Sequence, residues 1–170
     1  MKRIFLPLLF LSLSLVGSQA IAEIETLFSA EVNIRETLLN EIELLAKTLD
    51  LALYEITSIH LVQALIKAKE RGVKIRVVTD SKRARVKTSK VNLLIKQGIS
   101  VKTLGEKEKG TMNHRFAILD GKKVITGPHD WSEGSWKGNY ESLLIIQDID
   151  LVDSYQKEFD RLWREKRMIK

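Results

Sequence analysis

Polar side chains that can hold a phosphate group or move a proton lie in three stretches of the C-terminal half. Residues 112–121 read MNHRFAILDG, residues 124–132 read VITGPHDWS, and residues 139–146 read NYESLLII. A guanidinium or a primary amide donates hydrogen bonds to phosphate oxygens, and an imidazole transfers protons near neutral pH. The residues with such groups, or with a carboxylate that can orient them, are Asn113, His114, Arg115, Asp120, His129, Asp130 and Glu141.

A second group of residues is suited to bind anions. Residues 82–90, which we call the basic segment, contain no acidic residue and carry positive charges at Lys82, Arg83, Arg85, Lys87 and Lys90. A cluster of this kind suits nucleic-acid phosphates or anionic lipid head groups. The alternative is a solvated basic face without a ligand, which the mild net charge of +6 leaves open.

The composition limits the chemistry further. The chain has 170 residues, no cysteine and three histidines. Thiolate catalysis and thiolate-bearing zinc sites are therefore excluded, and few nitrogen ligands remain for a metal ion. We expect neither a metal nor another cofactor.

The elements that must position these residues alternate between strand and helix. Apolar residues at helical spacing predict helices over residues 33–47, 59–72, 90–97 and 150–166. Apolar and β-branched runs predict strands over residues 25–30, 49–56, 74–79, 100–104, 115–119, 124–126 and 141–147. Asp120-Gly121 is typical of a hairpin turn between two of these strands. The pattern predicts an α/β (α+β) sandwich with a mixed sheet flanked by helices, in a single domain over residues 23–170.

The N-terminus has the composition of a secretory signal. Lys2 and Arg3 precede an apolar run over residues 4–16, and Ala20-Ile21-Ala22 matches a cleavage site. The run is shorter than the ~20 residues that span a bilayer, which favours cleavage over a membrane anchor. We therefore expect a signal peptide over residues 1–22, a periplasmic or secreted protein, and no integral membrane contact after cleavage.

Together the three polar stretches resemble the phospholipase D superfamily, in particular its small, single-motif secreted nuclease branch. The family motif is His-x-Lys-x4-Asp, followed about a dozen residues later by Gly-Ser-x-Asn and then by a glutamate. In the matching register Asp120 and Gly127 keep the family residue, and Glu141 matches the downstream glutamate. Four positions differ, because Asn113 stands for the histidine, Arg115 for the lysine, Pro128 for the serine and Asp130 for the asparagine.

The resemblance implies a metal-independent phosphodiesterase in which two motifs meet across a twofold axis. One histidine attacks phosphorus, the other protonates the leaving oxygen, and the lysine and asparagine bind the phosphoryl oxygens. The glutamate orients the imidazole. A chain with one motif then has to form a homodimer to complete a site.

The departures from the motif bear on this mechanism. An amide does not titrate near neutral pH, so Asn113 can bind phosphate but can neither attack phosphorus nor transfer a proton. Arg115 keeps the charge in a larger, forked group. Asp130 either repels the substrate, unless a cation compensates, or points to solvent in a turn.

His114 and His129 are the candidates to replace the missing imidazole. Strand alternation turns His114 away from the site, whereas His129 lies in a turn and has more freedom. We consider three functions: a phosphodiesterase-like protein that acts on or binds nucleic acid, a non-catalytic phosphodiester-binding or interaction protein, and a phospholipid hydrolase.

Overall fold

Seven strands form one sheet in the computed structural model, which describes residues 22–105, 110–134 and 139–165. The strands are β1 (Glu23–Phe28), β2 (Thr48–Leu53), β3 (Lys74–Asp80), β4 (Ser100–Leu104), β5 (Arg115–Leu119), β6 (Lys123–Thr126) and β7 (Ser142–Gln147). Their order across the sheet is β1-β7-β6-β5-β2-β3-β4. The pairs β2–β3 and β3–β4 are parallel, and all other neighbours are antiparallel. The predicted mixed sheet is confirmed.

Helices cover both faces of the sheet. The helices are α1 (Ile34–Glu43), α2 (Ile59–Glu70), α3 (Val91–Lys96) and α4 (Ile149–Arg164), and a short 3-10 turn spans Arg83–Arg85. Apolar residues of α1, α2 and α3 pack in one core cluster with Leu51, Val77 and Ala117 of the sheet. Phe159 and Leu162 of α4 pack in a second cluster with Phe116 and Ile118. The predicted sandwich is therefore a three-layer α/β/α arrangement.

The end of α1 differs most from its predicted position. The helix ends at Glu43, although apolar spacing continues to residue 47. The Asp120 carboxylate accepts backbone N–H groups of Ala46, Lys47 and Thr48 at 2.8–3.0 Å, so these amides are not in helical geometry. A contact between residues more than 70 positions apart thus overrides the local helical pattern.

The predicted signal peptide falls on residues that the structure leaves almost wholly undescribed, since the description begins at Ala22. The signal peptide and the domain boundaries therefore stay predictions. None of the helices in the described residues is long and apolar enough to cross a membrane.

Candidate functional site

Arg115 and Asp130, two of the positions that differ from the motif, form an ion pair. The Arg115 Nε donates to Asp130 Oδ1 at 2.5 Å, and Nη2 donates to Oδ2 at 3.4 Å. Arg115 opens β5 and alternates with Ala117 and Leu119, which pack in the cluster with α1–α3. Its side chain therefore lies on that side of the sheet. Asp130 is thus compensated by a cation, and the guanidinium is occupied by a carboxylate.

Tyr54 brings the basic segment and the motif strand together. It follows β2 directly, and Leu53 is paired with Arg115 in the sheet. The guanidinium carbon of Arg115 lies 5.5 Å from the centre of the Tyr54 ring, and that of Arg83 lies 5.1 Å from it. Both distances suit cation–π contact. The two guanidinium carbons are therefore within about 11 Å of each other.

Arg83 has its own carboxylate partner. Its Nε donates to Glu55 Oε2 at 2.8 Å, and Nη2 contacts the same oxygen. Hydrogen bonding to Glu55 raises the pKa of Arg83 above its usual range, against the opposing effect of burial, and the charge of Asp130 adds to the rise. The two arginines and their carboxylates, together with Tyr54, form the cluster that we call the arginine pair.

Asp80 is a buried anchor that sequence reasoning missed. Oδ1 accepts the backbone N–H groups of Lys82 and Arg83 at 2.9 Å each, and Oδ2 accepts the N–H of Met112 at 3.3 Å. Gly105 lies against it, because a Cβ there would come within 2.8 Å of Oδ2, at a φ of +80°. Two features of the sequence could have indicated this anchor: an aspartate ends one buried strand, and a glycine directly follows the next strand.

The other cations of the basic segment are placed for solution contacts. The Lys82, Arg85 and Lys87 residues are exposed, and Lys90 is half-buried where α3 begins. The Lys90 backbone N–H donates to Ile56 O at 2.9 Å. The backbone of the segment is thus fixed at both ends while three of its long side chains reach solvent.

His129 and Glu141 form a second pair, at the base of a polar cleft. His129 is 1% exposed, and its Nδ1 lies 3.6 Å from Glu141 Oε2. Burial lowers the pKa of His129, against the opposing effect of the Glu141 and Asp130 charges, so the ring is neutral near pH 7. The cleft has a volume of about 540 Å³ and is also lined by Ser29, which follows β1, and by Asn33, which caps α1. Glu141 therefore has an imidazole partner, but at residue 129 instead of residue 113.

Asn113 and His114 line a different cleft, of about 360 Å³, with Arg161 of α4. The His114 Nε2 lies 3.2 Å from Glu158 Oε1, and its ring meets Phe116 edge to face at 5.4 Å. His114 therefore lies on the α4 side of the sheet, opposite to Arg115, as strand alternation requires. Within the described residues, the candidate site is thus divided among the arginine pair, the His129–Glu141 cleft and the Asn113–His114 cleft.

Asp120 and Gly127 have structural surroundings. Asp120 has a φ of 52°, and its bonds reach the connection between α1 and β2 instead of the hairpin itself. Burial acts to raise the pKa of Asp120, but these backbone bonds together outweigh it and lower the pKa below its usual range. A Cβ at Gly127 would lie 2.5 Å from the Ser142 carbonyl oxygen, so only glycine allows this approach of β6 to β7.

The described residues contain no group of three or more histidine, cysteine, aspartate or glutamate side chains that could hold a metal ion. The expectation of a cofactor-free protein stays a prediction.

Comparison with known proteins relates the chain to one family and one fold. Residues 38–163 match the family model described as "Cardiolipin synthase, PLD-like domain". The chain is 35% identical over 119 residues to the mitochondrial cardiolipin hydrolase of Xenopus laevis. The aligned region covers 70% of this chain and 56% of that relative. It is 36% identical over 118 residues to the human protein of the same name, with 69% and 46% covered. The chain thus spans about half the length of these relatives.

Two solved structures share the fold. NucT from Helicobacter pylori has a TM-score of 0.78 at 24% identity, covering 84% of this chain and 96% of that one. Nuc from Salmonella typhimurium, a phospholipase D family member, has a TM-score of 0.77 at 21% identity, covering 86% and 97%.

The relatives also correct one prediction. The N-terminal pattern predicted a periplasmic or secreted protein, whereas the similar curated proteins are mitochondrial by name. A positive start, an apolar run and small residues were too general a signal to decide the compartment.

Proposed function

The chain belongs to the family of PLD-like domains described for cardiolipin synthase, within the phospholipase D superfamily, and we propose that it binds nucleic-acid phosphodiesters and hydrolyses them weakly at most. The observation that carries this proposal is the convergence of Arg83 and Arg115 on Tyr54. The basic segment follows β3, and Arg115 opens β5. Residues from two distant parts of the chain can therefore contact one ligand.

The exposed cations support an extended anionic ligand over a single small one. Lys82, Arg85 and Lys87 are exposed beside Arg83, which is itself in the arginine pair. A nucleic-acid strand presents successive phosphates, and each phosphate neutralised by a cation releases counterions and strengthens binding at low salt. One phosphate held at the arginine pair leaves neighbouring phosphates for the exposed side chains.

Weak turnover follows from the positions of the imidazoles. Asn113 occupies the position of the attacking histidine in the family register, and an amide cannot form a phosphorylated intermediate. His114 contacts Glu158 on the α4 side of the sheet, and His129 is buried against Glu141. His114 thus lies on the opposite side of the sheet from Arg115 and the His129 ring is enclosed, so we infer that neither replaces the imidazole that Asn113 lacks.

We also propose that two copies associate to form the complete surface. A chain with one motif supplies one half of a twofold site, so a second copy supplies the matching half through the same surface. Light scattering of the purified chain with and without an oligonucleotide would test this, because the proposal requires a dimer in both samples.

Phospholipid hydrolysis is the second candidate function. The names of the curated relatives favour it, since these proteins are cardiolipin hydrolases. A basic segment attracts anionic head groups as well as nucleic acid, so charge alone does not separate the two.

The test offers both ligand classes to the full chain in EDTA. Fluorescence anisotropy would measure binding of single-stranded DNA, duplex DNA and RNA over a series of salt concentrations, and sedimentation would measure binding to cardiolipin-containing vesicles. Hydrolysis would be followed on the labelled nucleic acids, the lipid and a chromogenic phosphodiester. Salt-dependent nucleic-acid binding with little cleavage supports the first function, and binding and cleavage of the lipid alone supports the second.

A matched pair of variants separates specific from general charge effects. Replacing Lys82 and Arg85 by alanine should weaken nucleic-acid binding about tenfold and reduce the salt dependence by about one to two phosphate contacts. Replacing the exposed Lys67 of α2 and Lys157 of α4 removes the same charge elsewhere and should change binding much less. Equal losses in the two double variants would contradict a role for the basic segment.

A further inference from the structure

We infer that the arginine pair binds a terminal phosphate monoester of a nucleic acid in preference to an internal phosphodiester. This inference rests on the proposed function and adds the ligand's chemical class.

The two guanidiniums are already neutralised by two carboxylates. Asp130 occupies Arg115 through two hydrogen bonds, and Glu55 occupies Arg83 through a single oxygen. Asp130 also contributes to the raised pKa of Arg83, which indicates that its charge acts on both arginines. An incoming phosphate therefore competes with carboxylates of this chain for the same donors.

Charge decides that competition. An internal phosphodiester carries one negative charge, which is no more than Asp130 already supplies as an intramolecular partner of Arg115. A phosphate monoester carries about −1.5 to −2 charges at pH 7 and has three acceptor oxygens. It can therefore replace a carboxylate on one guanidinium while it still attracts the other one.

The surroundings suit a group at a chain end. The Arg115 and Asp130 side chains are 24% and 26% exposed, and Arg83 is 38% exposed, so the cluster is partly accessible to solvent. Tyr54 holds both guanidiniums against its ring and limits how far they move when carboxylates are exchanged. The exposed Arg85 and Lys87 then lie within the same segment for the phosphates that follow the terminus.

The experiment compares three oligonucleotides of one sequence with the full chain. One has a hydroxyl at each end, one has a phosphate at each end, and one has the same phosphates capped as methyl diesters. The capped ligand has nearly the same shape as the phosphorylated one but one charge fewer at each terminus. We expect the phosphorylated ligand to bind about tenfold more tightly than the other two, as one additional charge-assisted contact would produce.

Two variants locate the preference. Arg83→Gln should abolish the difference among the three ligands, whereas Arg85→Gln should weaken all three equally and keep the difference. Circular dichroism on each variant would confirm that it is folded.

The outcomes separate this inference from the proposed function. Tight but equal binding of the three ligands to the wild type would overturn the inference alone. A preference that persists in Arg83→Gln would also overturn it, by placing the terminus elsewhere. Binding of none of the ligands would refute both.

Discussion

Replacing Asp130 by asparagine should strengthen nucleic-acid binding, because it frees Arg115 from its intramolecular partner. The change keeps the size of the side chain and removes its charge. In the wild type, a phosphate that contacts Arg115 has to displace Asp130, which is held at 2.5 and 3.4 Å. In the variant, the neutral amide competes far less and can itself donate a hydrogen bond to phosphate.

The size of the expected gain in affinity follows from the strength of the Arg115–Asp130 ion pair. Two unit charges about 4 Å apart interact by about 4 kcal/mol at an effective dielectric constant of about 20. About a quarter of each side chain is exposed, at 24% and 26%, so solvent screening reduces the net value to about 1–2 kcal/mol. Since 1.4 kcal/mol corresponds to a factor of ten, single-stranded DNA should bind about tenfold more tightly to Asp130→Asn.

The assay is fluorescence anisotropy at several salt concentrations, with Asp153→Asn as the matched control. Asp153 lies on the exposed face of α4, so its replacement removes the same formal charge at a distance from the arginine pair. The logarithmic salt dependence should become steeper by about 0.7 in Asp130→Asn, the value for one additional phosphate contact on a single strand. Equal affinity and salt dependence in the two variants would refute the competition between Asp130 and phosphate.

Three other perturbations test the separate parts of the site. Asn113→His should introduce metal-independent cleavage of a chromogenic phosphodiester in EDTA, and adding Asp130→Asn should increase this activity. An inactive double variant would show that the other side chains of the site are not positioned for hydrolysis. Because burial lowers the pKa of His129, the unfolded state binds more protons than the folded state below about pH 6.5, so stability should fall on acidification from pH 7 to 5. Thermal melts of His129→Gln should lose part of this pH dependence and those of the exposed His60→Gln should not; identical profiles would exclude His129 as the source. Asp120→Ala should reduce the free energy of unfolding in urea by about 2 kcal/mol or more, because three backbone N–H groups lose their acceptor, and a change below about 0.5 kcal/mol would show that water replaces the carboxylate.

Local signals were sufficient for much of the fold. β4 and β5 begin and end where the apolar pattern predicts, and the Asp120-Gly121 turn has positive φ at both residues. These features depend on neighbours in sequence, such as turn residues and alternating side chains. The end of α1 was missed because its determinant, Asp120, follows the neighbouring strand β5 and lies more than 70 positions away in the sequence.

Which residues lie together in the site was harder to predict than which residues belong to it. Arg115, Asp130 and Glu141 were identified from the motif, yet their pairing depends on strand order. β2 lies between β5 and β3, which places Tyr54 between the motif strand and the basic segment. No spacing in the sequence indicates that order, so the sequence alone gives no reason to connect the basic segment with the motif.

The burial of His129 was likewise not visible in the sequence. A histidine in a proline-containing turn suggested freedom to reach the site, whereas its side chain is enclosed beside Glu141. Turns have no periodicity that would tell an inward from an outward side chain. The environment of this residue is set by the contact between the loop after β6 and the strand β7.

The Asp80 carboxylate makes two distant parts of the chain mechanically dependent on each other. One oxygen holds the amides of Lys82 and Arg83, and the other holds the amide of Met112, immediately before the motif. Lengthening or shortening the connection between β4 and β5 would therefore also shift the start of the basic segment, at Lys82 and Arg83. Variation in that connection offers a way to adjust ligand affinity without replacing any charged residue.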